Sequence, residues 1–165
     1  MIDSGKKKIM QRENLAAEIG DASAIDAADC ARVLRRSIAE LCLADHHGNS
    51  AEIDEWLENK TAANVSMWID NPHSIFLTAK VAGLVRGVGS ALVSGEITLL
   101  YIDPIVRYQG ISTKLLAALE KRLLCVGCSK SFLWSTETAR VFYASRGYVE
   151  VEDSHPAKME KKLMG

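Results

Sequence analysis

The sequence predicts an α/β fold built on a mixed, mostly antiparallel central sheet with a parallel pair, flanked by helices. The first observation is a set of strand-like runs at Ser74–Val81, Val85–Val93 and Glu96–Ile102, separated only by turns at Ala82-Gly83 and Ser94-Gly95. Connections that short join antiparallel neighbours, because a parallel pair needs a crossover. The second is a change of order after Ile102: a helix over Gln109–Val126, a strand over Lys130–Ser135 and a helix over Glu137–Arg146. The passage from Glu96 to Ser135 is a right-handed strand–helix–strand crossover, which supplies the parallel pair. The third is composition: 165 residues, 48% hydrophobic and 25% charged, suffice for a buried core of ordinary globular type. Residues 13–165 are expected to form one domain, preceded by a flexible tail over residues 1–12.

The elements follow in chain order. Met1–Gln11 is polar and basic with no periodic pattern. After a short strand near Leu15–Ile19, Ser23 and Asp26 are spaced as a capping box, a hydroxyl to cap free amides and an acid in the first turn. Ile25, Ala28, Leu34, Ile38 and Leu41 then recur at helical spacing, predicting a first helix that ends near Ala44. Asp45–Ser50 is a loop by composition. Short helices at Ala51–Asn59 and Thr61–Ile69 come next, the second stopped by Asn71-Pro72. The chain closes with strands near Tyr148–Glu152 and Ala157–Leu163.

Several function classes are set aside by simple features. A net charge of −1 gives no broad basic surface for direct contact with nucleic acid. No apolar run approaches the roughly 18 residues of a membrane span, and the Lys6-Lys7-Lys8 start lacks an apolar signal core, so a cytoplasmic protein is expected. Cys125 and Cys128 form a C-x-x-C, but Cys30 and Cys42 lie far upstream on the first helix. The pair reads as small apolar residues at a helix end and turn. His73 and His155 flank prolines and build no metal cluster, so no metal is expected. Gly87-Val-Gly89 is followed by a strand where a dinucleotide fingerprint needs a helix.

The chemistry concentrates between the third long strand and the next helix. In Glu96–Ile102 apolar side chains occupy both faces, with Ile97, Leu99 and Tyr101 on one and Leu100 and Ile102 on the other, as in a central strand. Pro104 ends its ladder. Arg107, Tyr108, Gln109, Gly110, Ile111, Ser112 and Thr113 then cover the turn where the helix has unpartnered amides. A glycine that lets a ligand approach, a cation, a hydroxyl and the helix dipole together suit a phosphate. The same residues also suit a plain strand-to-helix turn with a surface arginine.

Asp103-Pro104-x-x-Arg107-x-x-Gly110-x-Ser112 resembles the acetyl-CoA pyrophosphate loop of the GNAT acetyltransferases, with Ser112 in the third small-residue position. Thr136-Glu-Thr-Ala139-x-x-Phe142-Tyr143 followed by Gly147-Tyr148 is similar to the family's second signature, with Thr136 where an Asn is usual. The likeness extends over about Leu15 to Leu163 and implies the GNAT fold. It further implies that backbone groups of Leu100 and Ile102 hold the pantetheine arm and thioester, the Leu100 amide serving as oxyanion donor, with Tyr101 between them also at the cofactor. Arg107–Thr113 would hold the pyrophosphate, and Thr136 would add a cofactor contact. Tyr143 matches the tyrosine that protonates the departing thiolate, although by spacing alone it also suits packing beside Phe142. Glu96 stands where some members carry a catalytic glutamate, and is equally a polar residue at a turn. His46 and His47 are rival bases or a solvated pair.

The resemblance implies an acyltransferase that moves acetyl from acetyl-CoA to a primary amine by direct attack in a ternary complex. The alternative is a non-catalytic acyl-CoA-binding module. A homodimer is compatible with the family. The acceptor is not read from motifs: Asp45, Glu52, Asp54 and Glu55 would attract a cationic amine or form a solvated face.

Overall fold

The computed structural model describes residues 16–153 and 156–165. The expected tail over residues 1–12, Leu15 and His155 lie outside the described residues. The elements run β1 (Glu18–Asp21), α1 (Ala27–Leu41), α2 (Leu43–His46), α3 (Ser50–Leu57), α4 (Ala62–Asp70), β2 (Ser74–Val81), β3 (Leu84–Leu92), β4 (Ile97–Ile102), α5 (Ile111–Cys125), β5 (Lys130–Ser135), α6 (Arg140–Ser145), β6 (Val149–Glu152) and β7 (Ala157–Lys162). The alternation of elements is as expected. The first helix ends sooner, at Leu41, and part of the expected Asp45–Ser50 loop is the short helix α2. Asn49 explains the restart, since its Oδ1 accepts from Ala51 N at 2.9 Å and Glu52 N at 3.2 Å to cap α3. At the start of α1, Asp26 accepts from Ser23 N at 3.0 Å, the acidic half of the expected capping box.

The strands form two antiparallel groups, β1-β2-β3-β4 and β5-β7-β6. The expected parallel pair between β4 and β5 is reduced to a bridge at one end, Glu96 beside Phe132, where Phe132 N donates to Gly95 O at 3.0 Å. Beyond it the strands diverge. The register explains part of this: β3 pairs Ser90 with Leu99 but Ala91 with Ile97, so Thr98 is an extra residue in β4. Such a bulge bends the strand and re-aims the residues beyond it. It also corrects the expected faces, because Ile97 now joins Leu100 and Ile102 on one side while Leu99 and Tyr101 pack on the other.

Two apolar layers hold these strands. Helix α5 packs Ile111, Leu115, Leu116, Leu119 and Leu123 with Leu77, Ala79 and Leu133. It comes close because β3 carries glycines there: a Cβ on Gly87 would lie 2.8 Å from Leu115 Cδ1. The Gly87-Val-Gly89 spacing therefore serves helix–sheet packing. On the other face α1 buries Cys30, Val33 and Leu34 with Phe76, Val88 and Val65 of α4. Burial of each large aliphatic side chain contributes on the order of 2 kcal/mol.

Candidate functional site

The divergence of β4 from β5 opens a cleft with two connected parts. Since Asp103 N donates to Arg86 O at 2.7 Å, alternation along the strand turns Leu99 and Tyr101 backbone groups toward β3. The backbone N–H and C=O groups of Leu100 and Ile102 then face the gap, as an unpaired strand edge. The narrow part, about 160 Å³, is lined by Thr98, Leu100, Leu133, Thr136 and Tyr143. The wider part, about 440 Å³, runs from Leu100 and Ile102 past Arg107, Tyr108, Gly110 and Ser112 to Phe142.

The turn that enters α5 is shaped by its own residues. Asp103 Oδ1 accepts from Ile105 N at 3.1 Å, and a single helical turn follows over Pro104–Val106. Tyr108 and Gly110 both take left-handed backbone, at φ 65° and 76°. For a tyrosine that conformation costs about 1 kcal/mol or more. Gly110 occupies the cap position of α5 with no side-chain cap, leaving the first amides of the helix, from Ile111 onward, facing the wide part of the cleft. A Cβ at Gly110 would meet nothing within 4 Å, so its glycine answers the positive φ. The Arg107 guanidinium lies 4.7 Å from the centre of the exposed Tyr108 ring. Gln109 is exposed, whereas Ile111 turns into the core and reaches the cleft only at its edge.

Asp103 itself is fully buried and supports this turn. Arg32 at 3.1 Å, Arg36 at 3.1 Å and Arg86 at 2.9 Å all pair with its carboxylate. Burial alone would raise its pKa, but the Ile105 amide and these guanidiniums outweigh burial and hold it below the usual carboxylate range.

Tyr143 closes the cleft from α6. It is 7% exposed and meets Phe142 and Tyr148 edge-on, at 5.3 and 5.7 Å between ring centres. Burial raises its pKa, so the hydroxyl keeps its proton. No protein group bonds that hydroxyl among the described residues. Tyr148 beneath it is different: its hydroxyl is bonded to Ser131 Oγ at 2.9 Å and Glu120 Oε1 at 3.1 Å. Thr136 lines the narrow part, and its Oγ1 accepts from Ala139 N at 3.3 Å, which shapes the entry to α6.

The sequence-derived residues do not all converge. Leu100, Tyr101, Ile102, Arg107, Tyr108, Gly110, Ile111, Ser112, Thr113, Thr136 and Tyr143 line one or both parts of the cleft. Glu96 does not: it sits at the closed vertex, where its carbonyl accepts from Leu92 N at 2.8 Å. His46 is 1% exposed, with Nε2 against Ile38 O at 2.9 Å and Nδ1 accepting from Gly48 N at 3.0 Å, so both ring nitrogens are engaged in the fold. Motif reading overlooked Leu41, at the end of α1, and Thr138, which also line the cleft. Thr138 is tied across to α2, its N donating to Asp45 Oδ1 at 3.0 Å and its hydroxyl bonding the same carboxylate. Only the Thr136–Tyr143 motif pointed toward that segment. Among the described residues no cluster of His, Cys, Asp and Glu is arranged to hold a metal, and no helix is long and apolar enough to cross a membrane.

The profile of the acetyltransferase (GNAT) domain family matches residues 42–159. A GCN5-related N-acetyltransferase from Rhodopseudomonas palustris superposes with a TM-score of 0.80 at 23% identity, covering 90% of this chain and 96% of that one. The PaiA N-acetyltransferase of Thermoplasma acidophilum, solved with coenzyme A, gives 0.78 at 22% identity, with 89% and 99% coverage. The aminoglycoside 6'-N-acetyltransferase of Enterococcus faecium gives 0.65 at 18% identity, with 90% and 98% coverage. Comparison with curated protein sequences gives no significant match.

Proposed function

The chain belongs to the GNAT acetyltransferase family, and from that premise we propose that it transfers the acetyl group of acetyl-CoA to a primary amine by direct attack in a ternary complex. The observation that carries this reading is the open edge of β4 at Leu100 and Ile102, running straight to the uncapped N-terminus of α5. An extended pantetheine arm fits that edge as an added strand, and the helix terminus with Arg107 suits a pyrophosphate. Coenzyme A in the Thermoplasma relative supports the same choice of co-substrate.

The residues then divide the reaction. The amine nitrogen attacks the thioester carbonyl, and the Leu100 N–H stabilises the oxygen as it becomes anionic. The C–S bond breaks as the amide forms, and the departing thiolate takes the Tyr143 hydroxyl proton, which burial has kept in place. The amine gives up its own proton to water, since Glu96, the base the resemblance implied, lies outside the cleft wall. Tyr101, Tyr108, Gln109, Ile111, Ser112, Thr113 and Thr136 complete the walls and the turn.

Acetyl-CoA is expected to raise the melting temperature, because it binds the folded state alone. In Arg107→Ala the affinity falls about tenfold, the loss of one charge-assisted hydrogen bond. Thiol release from acetyl-CoA across an amine panel then separates transfer from binding. A melting temperature insensitive to acetyl-CoA refutes the site, and binding without thiol release favours the acyl-CoA-binding module.

A further inference from the structure

Between α4 and the β2-β3-β4 face lies a second cavity of about 300 Å³, the size of a small-ligand site. Lys60, Trp68, Ser74, Ser90, Thr98 and Leu99 line it. Thr98 and Leu99 also line the narrow part of the cleft, so the bulged segment of β4 is a wall common to both spaces.

Lys60 is the unusual member of that wall. It is 9% exposed, a burial that lysines seldom reach without a partner. An ammonium has three protons to donate, and this one makes a hydrogen bond to Asn59 Oδ1 at 2.6 Å. No carboxylate pairs with it among the described residues, and the cavity wall offers hydroxyls, amides and apolar carbon but no acid. Burial pulls the ammonium below the ordinary lysine range, with no opposing charge to restore it. A buried cation without a counterion costs stability that the fold itself does not recover. A ligand carrying one negative charge would supply the missing partner. A carboxylate matches a single ammonium, whereas a phosphate monoester, with nearly two charges, would leave one unanswered.

We propose that this cavity is the acceptor pocket and that it selects a small amine bearing a carboxylate, which Lys60 binds while the amino group is presented past Thr98 to the cleft. The fate of the amine rests on the acetyl-transfer reading above; the binding of the carboxylate does not. The Ser74 and Ser90 hydroxyls, 3.4 Å apart, and Asn71 add polar contacts, and Trp68 covers the ligand's carbon chain.

The test compares amines of similar chain length whose far end is anionic, neutral or cationic. Thiol release is measured with γ-aminobutyrate, its methyl ester and putrescine, in the wild type and in Lys60→Met. In the wild type, γ-aminobutyrate is expected to show a KM about tenfold or more below those of the ester and the diamine. Lys60→Met raises that KM about tenfold, keeps kcat within about twofold and leaves the ester unaffected. A wild-type preference for putrescine, or discrimination that survives in Lys60→Met, overturns the proposal. Binding is read without turnover by thermal shift with butyrate and γ-aminobutyrate. A saturable rise in the wild type that Lys60→Met abolishes supports the pocket even when no amine is acetylated, and no rise in the wild type overturns it. Lys60→Met itself is expected to melt about 2–4 °C higher, since it removes an uncompensated buried charge. A variant that melts lower reveals a structural role for the ammonium and overturns the proposal.

Discussion

Strand β4 is held in two different ways at its two ends. At the Glu96 end the hold is made of backbone: β5 is bridged there, and Gly95, at φ 105°, lets the Lys130 carbonyl approach so closely that a Cβ would sit 2.6 Å from it. At the Asp103 end β5 has departed, and the hold is made of side chains, with Arg32 and Arg36 of α1 and Arg86 of β3 gathered on one buried carboxylate. The difference teaches how a sheet can keep a strand in place and still leave one backbone edge free. Closing the edge with a ladder would have filled the place where a substrate can add itself; anchoring from the opposite side leaves it open.

Three substitutions break or sharpen that comparison. Gly95→Ala attacks the backbone hold and carries the largest effect. A left-handed alanine that overlaps the Lys130 carbonyl is expected to lower stability by about 3 kcal/mol, measured by denaturant unfolding. Tyr143→Phe leaves both holds intact and removes a hydroxyl that has no hydrogen-bond partner among the described residues. Its expected signature is a kcat about a hundredfold lower, with acetyl-CoA binding and melting temperature nearly unchanged, seen in steady-state kinetics beside thermal shift. Unchanged turnover would withdraw the acid role.

Asp103→Asn attacks the side-chain hold and is expected to cost about 2 kcal/mol near neutral pH, because the arginines keep partial access to water. Its sign with pH comes from the lowered pKa. The carboxylate's contribution is complete above its unfolded value near pH 4 and disappears as pH falls through the lower folded value. Stability differences between wild type and variant should therefore shrink as the pH falls below about 4. A gap that persists in acid would mean that the clamp is not electrostatic.

Much of the candidate site's lining was legible because its signals are local. The Asp103–Ser112 turn announces itself by a proline, a cation and a glycine within a few residues, and the left-handed Gly110 shows why that glycine is there. The Thr136–Tyr143 stretch was equally readable, since residues near each other in sequence enter the same helix. Glu96 is the instructive contrast. The family resemblance suggested proximity to the chemistry, yet a strand that bulges at Thr98 and splays from its neighbour leaves it at the vertex and out of the cleft. Lys60 gave no sign at all, because a lysine in a polar loop looks the same whether it meets water or a cavity.

The sequence by itself determined the order of strands and helices, the short antiparallel turns, the glycine-entered helix α5 and the tyrosine of α6. Periodicity and backbone freedom act over a few residues, so they can be read from a few residues. Only the tertiary structure decided where β4 and β5 part, which of Tyr143 and Tyr148 has its hydroxyl bonded to Ser131 and Glu120, and which charge is buried. Asp103 meets Arg32 and Arg36 across 71 and 67 residues of chain, and contacts at such separation leave no periodic trace. They form because packing both faces of one sheet brings distant groups within hydrogen-bond reach, where pairing offsets the cost of burying a charge.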